Sequence, residues 1–280
     1  MLKKIRICCV LFNPVQNHDK DFMKKQLFLM LLFFCLITPF VFSQEVPSDG
    51  PYKEFYEGSQ QVKLETEYKE GEKNGPFRMY FESGRLQAVG SFKNDAYHGP
   101  YKEYFENGAL RFDQQYSNGS LQGVSKEYYD QEVLKSEERY RDNMLDGVCT
   151  YYFENGQVQY VSKYKNGDLN GTTKEYNPQG FLISEINYQD DEMTGLAKEF
   201  DDLGLPKAFS HYDNGVKKGE SRMFYDSGEV EWILNFDNDQ LDGTVRQYSK
   251  TGSLERECIY HAGVEESCKD LMTDVQAKAP

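Results

Sequence analysis

Histidine and cysteine, the side chains that most often build catalytic and metal sites, are scarce in this sequence. Its 280 residues include four histidines and six cysteines, and only three of each lie beyond residue 43. His98, His211 and His261 are widely separated along the chain, whereas a catalytic triad or a zinc site needs groups that converge. The sequence therefore predicts no catalytic residue, no cofactor site and no metal site, and it favours a protein that is not an enzyme.

Basic residues are also in deficit. The chain has 32 lysines and arginines against 46 aspartates and glutamates, a net charge of −14. Residues 1–43 hold six basic and two acidic residues, which leaves 26 basic and 44 acidic residues, or −18, for the remainder. Nucleic acids and anionic lipids need a dense basic surface. The charge balance therefore disfavours both as partners, and it permits cationic partners or divalent ions.

Two acidic segments, around Asp190-Asp191-Glu192 and from Asp237 to Gly243, resemble calcium-binding loops only faintly. In the second segment Leu241 stands where an oxygen ligand belongs, and Asp242 stands where such a loop needs glycine. We interpret both segments as turns.

Long hydrophobic runs are absent except near the N-terminus. Met23-Lys24-Lys25 precedes an apolar run from Leu27 to Phe42, and the small residue Ser43 follows it. This order is typical of a secretory signal, and a run of about 16 residues is shorter than the roughly 20 that span a membrane. We predict a signal peptide over residues 23–43, cleaved before Gln44, and an exported protein with no stable membrane span after cleavage. An uncleaved N-terminal anchor is the alternative.

The segments that flank this signal show little pattern. Residues 1–22 form an N-terminal extension with no clear periodicity, and residues 44–50 form a short polar linker. Cys35 raises the question of lipidation, but bulky phenylalanines precede it where a lipidation signal needs a small residue. A lipoprotein is therefore disfavoured.

What the sequence does contain is a repeat of 24 residues that returns without insertion or deletion. Its opening glycine recurs at Gly75, Gly99, Gly123, Gly147, Gly171, Gly195, Gly219 and Gly243. Aromatic residues recur twice in each unit, 12 residues apart, as at Tyr104, Tyr116, Tyr128 and Tyr140. A fixed period of this length predicts an array of supersecondary units. We place the array over residues 51–262, about nine units, with Pro51 in the first glycine position.

Each unit reads as a β-hairpin, most clearly between Gly99 and Gln122. A first strand near Tyr101 to Phe105 and a second strand from Leu110 to Tyr116 flank the turn Glu106-Asn107-Gly108, and Asn118-Gly119 forms a second turn. Glycine adopts the positive φ that such turns need, and Asn-Gly is a strong hairpin signal. The predicted fold is all-β, an elongated single-layer antiparallel sheet of stacked hairpins.

Strand alternation predicts an aromatic-rich face. If Tyr104 lies across from Leu110, then Phe112, Gln114 and Tyr116 share its side of the sheet. A lysine or arginine two residues before the first aromatic, such as Lys102, is expected on the same face. The aromatic rows stabilise the sheet by cross-strand pairing, and they also offer a platform for a partner. The candidate contact residues are Trp232, Tyr160, Phe112, Tyr104 and Tyr152.

The C-terminal residues 263–280 change period and predict a cap. Cys268, Leu271, Met272 and Val275 have the spacing of one helical face, and Ser267 with Asp270 resembles a capping box. We expect a short helix that covers the last strand edge. In an oxidising compartment a disulfide between Cys258 and Cys268 would link the last strand to this helix, and Cys149 would pack as a small apolar residue.

The elements Y-x-x-N-G-x-L and Y-x-N-G, in units that open with glycine, resemble the variant MORN-repeat family (membrane occupation and recognition nexus). The resemblance implies stacked hairpins in one sheet and a role as an interaction scaffold, and many bacterial members are labelled as antitoxin components. The predicted export signal is at odds with an antitoxin that must act on a cytosolic toxin. The charge of −18 is at odds with direct binding to an anionic membrane.

These observations favour an exported, non-catalytic repeat scaffold that binds a protein or another partner along its aromatic-rich face. One alternative is an antitoxin-like or immunity-like protein that masks a toxin, which requires a cytosolic chain. The other is a cell-surface module that binds glycans.

Overall fold

The structure is a computed structural model that describes residues 47–271. The chain divides into two units, Met1–Glu45 and Val46–Pro280, and the described residues belong to the second. The predicted N-terminal extension, the predicted signal peptide, residues 44–46 of the predicted linker and residues 272–280 lie outside the described residues. Within the described part of the chain, no helix is long and apolar enough to cross a membrane.

All described strands belong to one antiparallel sheet of 25 strands. The strands are β1 (Gly50–Phe55), β2 (Val62–Lys69), β3 (Glu72–Lys73), β4 (Gly75–Tyr80), β5 (Leu86–Lys93), β6 (Ala96–Tyr97), β7 (Gly99–Tyr104), β8 (Leu110–Ser117), β9 (Ser120–Leu121), β10 (Gly123–Tyr128), β11 (Leu134–Arg141), β12 (Met144–Leu145), β13 (Gly147–Tyr152), β14 (Val158–Lys165), β15 (Asp168–Leu169), β16 (Gly171–Tyr176), β17 (Leu182–Gln189), β18 (Glu192–Phe200), β19 (Pro206–Asp213), β20 (Val216–Phe224), β21 (Val230–Asp237), β22 (Gln240–Leu241), β23 (Gly243–Tyr248), β24 (Leu254–His261) and β25 (Val264–Asp270).

Each long strand pairs with the long strands that precede and follow it in sequence. Within a hairpin the first strand pairs along its length with the second, as β7 does with β8. The second strand then pairs with the first strand of the next hairpin, as β8 does with β10. The two-residue strands, such as β9, pair with the end of the preceding long strand just before the next opening glycine. The result is the predicted all-β sheet of hairpin repeats.

The opening glycine of each hairpin lies directly across from an aromatic residue of the second strand. Gly99 faces Tyr116, and φ is +89° at this glycine, a value that side chains disfavour. The same pairing recurs at Gly50–Tyr68, Gly75–Phe92, Gly123–Tyr140, Gly147–Tyr164, Gly171–Tyr188, Gly195–Tyr212, Gly219–Phe236 and Gly243–Tyr260. The first unit therefore opens at Gly50, and Pro51 follows the glycine position instead of filling it.

A β-bulge near the end of each hairpin decides which side chains share a face. Tyr104 pairs with Leu110, as predicted, but Glu103 pairs with Phe112, so that Arg111 is the extra residue. Lys102 consequently pairs with Asp113 on the opposite side of the sheet from Phe112. The prediction that the basic residues lie on the aromatic face was wrong, because it carried strict alternation through the bulge. The prediction that Tyr104 shares a face with Phe112 was wrong for the same reason, since Tyr104 follows Lys102 by two residues on the same strand.

The two faces of the sheet thus have different compositions. The tyrosine face carries Tyr101, Glu103, Phe112, Gln114, Tyr116 and the equivalent residues of the other hairpins. The lysine face is the opposite side, and it carries Lys102, Asp113 and their equivalents.

The buried side chains form a row along the tyrosine face. Cys149 and its cross-strand partner Ser162 are typical members, and Cys149 is 0% exposed. An aromatic residue stands two positions after each second-strand member of this row. In the preceding hairpin Glu138 is equivalent to Ser162, and the hydroxyl of Tyr140 donates to Glu138 Oε2 at 2.8 Å. The row holds Phe77, Ser125, Cys149, Ser162, Ile186, Ala197, Ser210, Ser221, Leu234, Val245 and Cys258. A single sheet thereby builds its core on one face, beneath its own tyrosine and phenylalanine rings.

The core is apolar toward both ends of the sheet and more polar in between. Leu64, Phe77, Ala88 and Phe92 form one apolar cluster near the first strand. Another cluster of Leu234, Val245 and Cys258 lies near the last strand. The buried residues between them include Ser125, Ser136 and Ser162.

The predicted C-terminal helix is absent from the described residues, and this prediction was wrong. Val264–Asp270 forms β25, which pairs along β24, and the N–H of Leu271 donates to the Glu255 carbonyl at 2.8 Å. Positive φ angles at Ala262 and Gly263 turn the chain back onto β24. The free edge of β24 offers unpaired N–H and C=O groups. Hydrogen bonding to these groups stabilises a strand here more than the short amphipathic pattern stabilises a helix. The remaining helix positions, Met272 and Val275, lie outside the described residues.

Candidate partner-binding surface

One continuous row of side chains runs across the sheet on the tyrosine face, with one residue from every long strand. We call it the central row. Each member is the cross-strand partner of the next. Its members are Glu54, Leu64, Met79, Ala88, Glu103, Phe112, Glu127, Ser136, Tyr151, Tyr160, Glu175, Ser184, Glu199, Ala208, Met223, Trp232, Gln247, Arg256 and Asp270.

Three of the five residues predicted to contact a partner belong to this row. Phe112, Tyr160 and Trp232 occupy the same position in three different hairpins, and all three are half-buried. Trp232 packs against the apolar cluster near the last strand. The Tyr160 ring stacks on Tyr151, with 4.2 Å between the ring centroids and 13° between the ring planes. The Arg111 guanidinium lies 5.1 Å from the centre of the Phe112 ring.

The other two predicted residues, Tyr104 and Tyr152, lie outside the central row. Both end the first strand of a hairpin, at the bulge. The carbonyl of Tyr152 accepts a hydrogen bond from the Tyr129 hydroxyl at 2.9 Å. The Tyr56 hydroxyl bonds the Tyr80 carbonyl in the same way at 2.6 Å. This end of the hairpins therefore carries hydrogen bonds between successive units.

Sequence reasoning missed the acidic members of the central row. Glu103, Glu127, Glu175 and Glu199 occupy equivalent positions, each in a recurring Lys-Glu-aromatic tripeptide. That tripeptide was the available signal. Strict alternation without the bulge places the lysine on the aromatic face. With the bulge, the glutamate next to it is the residue that shares a face with the aromatic rings.

The extra residue of each bulge decides whether these carboxylates have a cationic neighbour. Arg111 donates to Glu103 Oε1 at 3.0 Å, and Lys135 donates to Glu127 Oε1 at 2.8 Å. Glu175 differs because the residue in the equivalent position is Ile183. Packing around the Glu175 carboxylate raises its pKa although the residue as a whole is exposed. Among the described hairpins that have glutamate at this position of the central row, this one alone has neither lysine nor arginine as its bulge residue.

Glu199 has an intermediate environment. Burial raises the pKa of its carboxyl group, and the nearby charges of Lys207 and Lys217 act in the opposite direction. Lys207 is the bulge residue of this hairpin, equivalent to Arg111.

Tyrosine hydroxyls surround another carboxylate of the tyrosine face. Glu138 accepts hydrogen bonds from Tyr140 at 2.8 Å and from Tyr151 at 2.5 Å. Burial raises the pKa of Tyr151, and the charge of Glu138 raises it further. This region also lacks a cationic bulge residue, because Gln159 stands in that position. The middle of the tyrosine face is thus rich in hydroxyl and carboxylate groups.

The lysine face has a different electrostatic character, because several of its acidic side chains have basic partners on the neighbouring strand. Lys102 pairs with Asp113 at 3.2 Å, and Lys126 pairs with Glu137 at 3.5 Å. Glu185 lies between two lysines, and the pKa of its carboxyl group is lowered, first by the hydrogen bond from Lys198. Opposite charges on paired strands stabilise the sheet modestly.

The acidic turns act as backbone acceptors in the structure. Asp191 Oδ1 accepts the N–H of Leu169 at 2.7 Å, and Asn143 Oδ1 accepts the N–H of Leu121 at 2.7 Å. Each such bond joins one hairpin to the preceding one. The residue in this position alternates between Asp or Asn and glycine: Gly71, Asp95, Gly119, Asn143, Gly167, Asp191, Gly215, Asp239 and Gly263. The array therefore has a second period of two hairpins.

One group in the described part of the chain has metal-ligand geometry. Cys258, Glu265 and Cys268 place three ligand atoms within 4.8 Å of one another. Cys258 and Cys268 lie directly across from each other on β24 and β25 and are joined by a disulfide, so their thiols are not available as ligands in this state. The disulfide links two strands, whereas the sequence suggested a link between a strand and a helix.

Comparison with known proteins identifies the repeat. The family model of the MORN repeat variant matches residues 73–94, 97–118, 145–166, 169–190 and 241–262. The resemblance drawn from the repeat motifs is therefore confirmed at five units. No curated protein matches the chain. A solved structure described as a porin-like protein from Bacteroides uniformis is similar over 79% of this chain and 94% of that chain, with 10% identity and a TM-score of 0.19. A likeness of that size carries no argument about fold or function.

Proposed function

We propose that this chain of variant MORN repeats is a scaffold that binds a protein partner along the central row of its tyrosine face. MORN repeats are generally non-catalytic modules. The observation that carries the proposal is the continuity of the central row across every hairpin of the sheet. A partner that lies along it meets a new side chain at each strand, about every 4.8 Å.

The composition of the central row supports this role. Phe112, Tyr160 and Trp232 are only half-buried, and aromatic residues of this kind are enriched at the centres of protein interfaces. On the lysine face, by contrast, paired opposite charges leave fewer unmatched groups for a partner. Many modest contacts along one line would add up to a specific complex.

Photo-crosslinking tests this proposal. Benzoylphenylalanine is introduced singly in place of Phe112, Tyr160 or Trp232, and in matched controls in place of Gln115 or Lys163 on the lysine face of the same strands. We expect the same partner to be crosslinked from all three positions of the central row and from neither control. Equal or stronger crosslinking from the lysine face would contradict the proposal.

We also propose that the protein is exported. The order of basic, apolar and small residues over 23–43 supports this, as does a disulfide, which persists in oxidising compartments. The intact mass of the native protein and its cell fraction provide the test. A mass that begins at Gln44 in the envelope or medium is expected. A cytosolic chain that keeps Met1 or Met23 would reject export and favour the toxin-masking alternative.

A further inference from the structure

We propose that the part of the central row from Tyr160 to Glu199 binds lysine side chains of a basic, extended segment of the partner protein. This inference rests on the proposed scaffold function and specifies the chemistry of the partner. It concerns four consecutive members of the row: Tyr160, Glu175, Ser184 and Glu199.

The strand register brings these four residues together. Tyr160 lies directly across from Glu175, Glu175 lies across from Ser184, and Ser184 lies across from Glu199. Neighbouring strands are about 4.8 Å apart, so the two glutamates are about 10 Å apart along the row. Ser184, between the two glutamates, has a small side chain, and Tyr160 lies on the other side of Glu175.

An ammonium group has the chemistry that fits beside Glu175. It can donate hydrogen bonds to the carboxylate, and it gains further from the face of a neighbouring tyrosine ring. At Glu103 and Glu127 the chain supplies such a cation itself, from Arg111 and Lys135. At Glu175 the equivalent residue is Ile183, so a partner can supply the cation instead. At Glu199 the equivalent residue is Lys207, whose charge already acts on the carboxyl group, so Glu175 is the main lysine position and Glu199 is a weaker second one.

The environment of Glu175 favours the binding of a cation beside its carboxylate. Surrounding groups partly desolvate its carboxylate, and this desolvation disfavours the charged form and raises the pKa. The attraction of a cation that arrives with the partner offsets that penalty. The acidic charge of the chain as a whole also speeds the approach of a basic partner at low ionic strength.

The spacing of the carboxylates predicts the spacing of the lysines. An extended polypeptide rises by about 3.3 Å per residue, so three residues cover the distance of about 10 Å between Glu175 and Glu199. A segment that runs along the central row, across the strands, would place a lysine at every third residue opposite these glutamates.

A binding experiment with a defined peptide tests the inference. A fluorescein-labelled peptide with lysine at every third residue, separated by glycine and serine, is titrated with the full chain at 50 mM and 300 mM salt. Affinity is read by fluorescence anisotropy. We expect Glu175→Gln to weaken binding about fivefold at low salt, as the loss of one partly desolvated ion pair should.

A matched variant separates the site from the general charge of the protein. Glu137→Gln removes one carboxylate from the lysine face, where Glu137 pairs with Lys126, and it should change the affinity less than about twofold. Tyr160→Leu should weaken binding and Tyr160→Phe should not, because the ring and not the hydroxyl contacts the cation. Thermal unfolding of each variant confirms that it is folded.

Several results would overturn the inference. Equal weakening by Glu137→Gln and Glu175→Gln would indicate diffuse attraction to an acidic protein. A peptide with lysine at every second residue that binds as well would reject the spacing. Tighter binding of spermine than of the peptide would reject a protein segment as the occupant. Crosslinks from the central row without any dependence on Glu175 would leave the scaffold function standing and reject the lysine site alone.

Discussion

Cys258 in β24 lies directly across from Cys268 in β25, and the disulfide between them joins the last two strands of the sheet. All residues of β25 are exposed, and β25 pairs with β24 alone among the described strands. Cys268 follows Cys258 by 10 positions in sequence. The covalent link therefore secures an edge strand that is paired on one side only.

Reduction of this disulfide is expected to release β25 and to leave the other hairpins folded. Closure of a loop of about this length is worth roughly 3 kcal/mol, and a lone edge strand has little else to hold it. Hydrogen exchange measured by mass spectrometry should show faster exchange over residues 264–270 after reduction. The hairpin of β7 and β8 is the internal control, because it contains no cysteine. Unchanged exchange over β25 would contradict the prediction.

Replacement of Gly167 by asparagine is expected to stabilise the array by about 1 kcal/mol. In alternate hairpins the equivalent residue, such as Asn143, adopts a positive φ and accepts the N–H of Leu121. An asparagine at position 167 could accept the N–H of Leu145 in the same way, and no atom lies within 4 Å of the added Cβ. The midpoint of chemical unfolding measures the effect.

Two variants control for the mechanism of this stabilisation. Gly167→Ala has the same backbone strain without a hydrogen-bond acceptor, and it should lower stability. Asn143→Gly removes an existing acceptor and should also lower stability. If Gly167→Ala stabilised as much as Gly167→Asn, the hydrogen bond would not be the cause.

Glu175→Gln is expected to raise the thermal midpoint at pH 7 and to have no effect near pH 3. The pKa of Glu175 is higher in the folded protein than its ordinary value, because of desolvation. The folded state therefore binds the proton more tightly than the unfolded state does. Stability is lost as the pH rises from the unfolded pKa of about 4.3 through the folded pKa. Removal of the charge removes this loss.

Glu185→Gln provides the opposite sign. The pKa of Glu185 is lowered, chiefly by the hydrogen bond from Lys198, so its stabilising contribution is present above the unfolded pKa and is lost as the pH falls through the folded pKa. This variant should lower the midpoint at pH 7 and have no effect at the lowest pH. The same sign for both variants at pH 7 would contradict the assigned environments.

Cys149 is expected to resist alkylation while the protein is folded. Its side chain is fully buried, and burial raises the pKa of the thiol to about 11, so very little thiolate forms at pH 8. Iodoacetamide followed by peptide mass spectrometry should find Cys149 unmodified until denaturant is added. Cys268 is exposed and should react soon after reduction of the disulfide. Labelling of native Cys149 at the rate of an unfolded cysteine would contradict its burial.

Much of the fold could be read from the period of the sequence. Positions such as Gly99 and Tyr116 recur every 24 residues because each hairpin repeats one pairing of glycine with an aromatic ring. The hairpin turns were equally visible, because Asn118-Gly119 supplies the positive φ angles that the turn requires. These are local requirements of the backbone, and they appear directly as residue types.

The candidate surface could be predicted only in part. Phe112, Tyr160 and Trp232 were identified as aromatic residues of one face, but Glu175 was not recognised as their neighbour. A bulge adds one residue to one strand and reverses the alternation of side chains beyond it. No residue type in the repeat predicts the bulge by itself. The prediction of a C-terminal helix was wrong for a related reason, because the spacing of Cys268 and Leu271 carries no information about the free edge of β24.

The sequence by itself determined the repeat class, the antiparallel hairpins and the acidic charge of the chain, because each depends on local backbone requirements or on composition. Only the tertiary structure decided which residues share the central row, that Glu175 has Ile183 where Glu103 has Arg111, and that β25 continues the sheet. Those features depend on the register between strands. Register is set by the summed hydrogen bonding and packing of neighbouring hairpins, and no single hairpin contains that information.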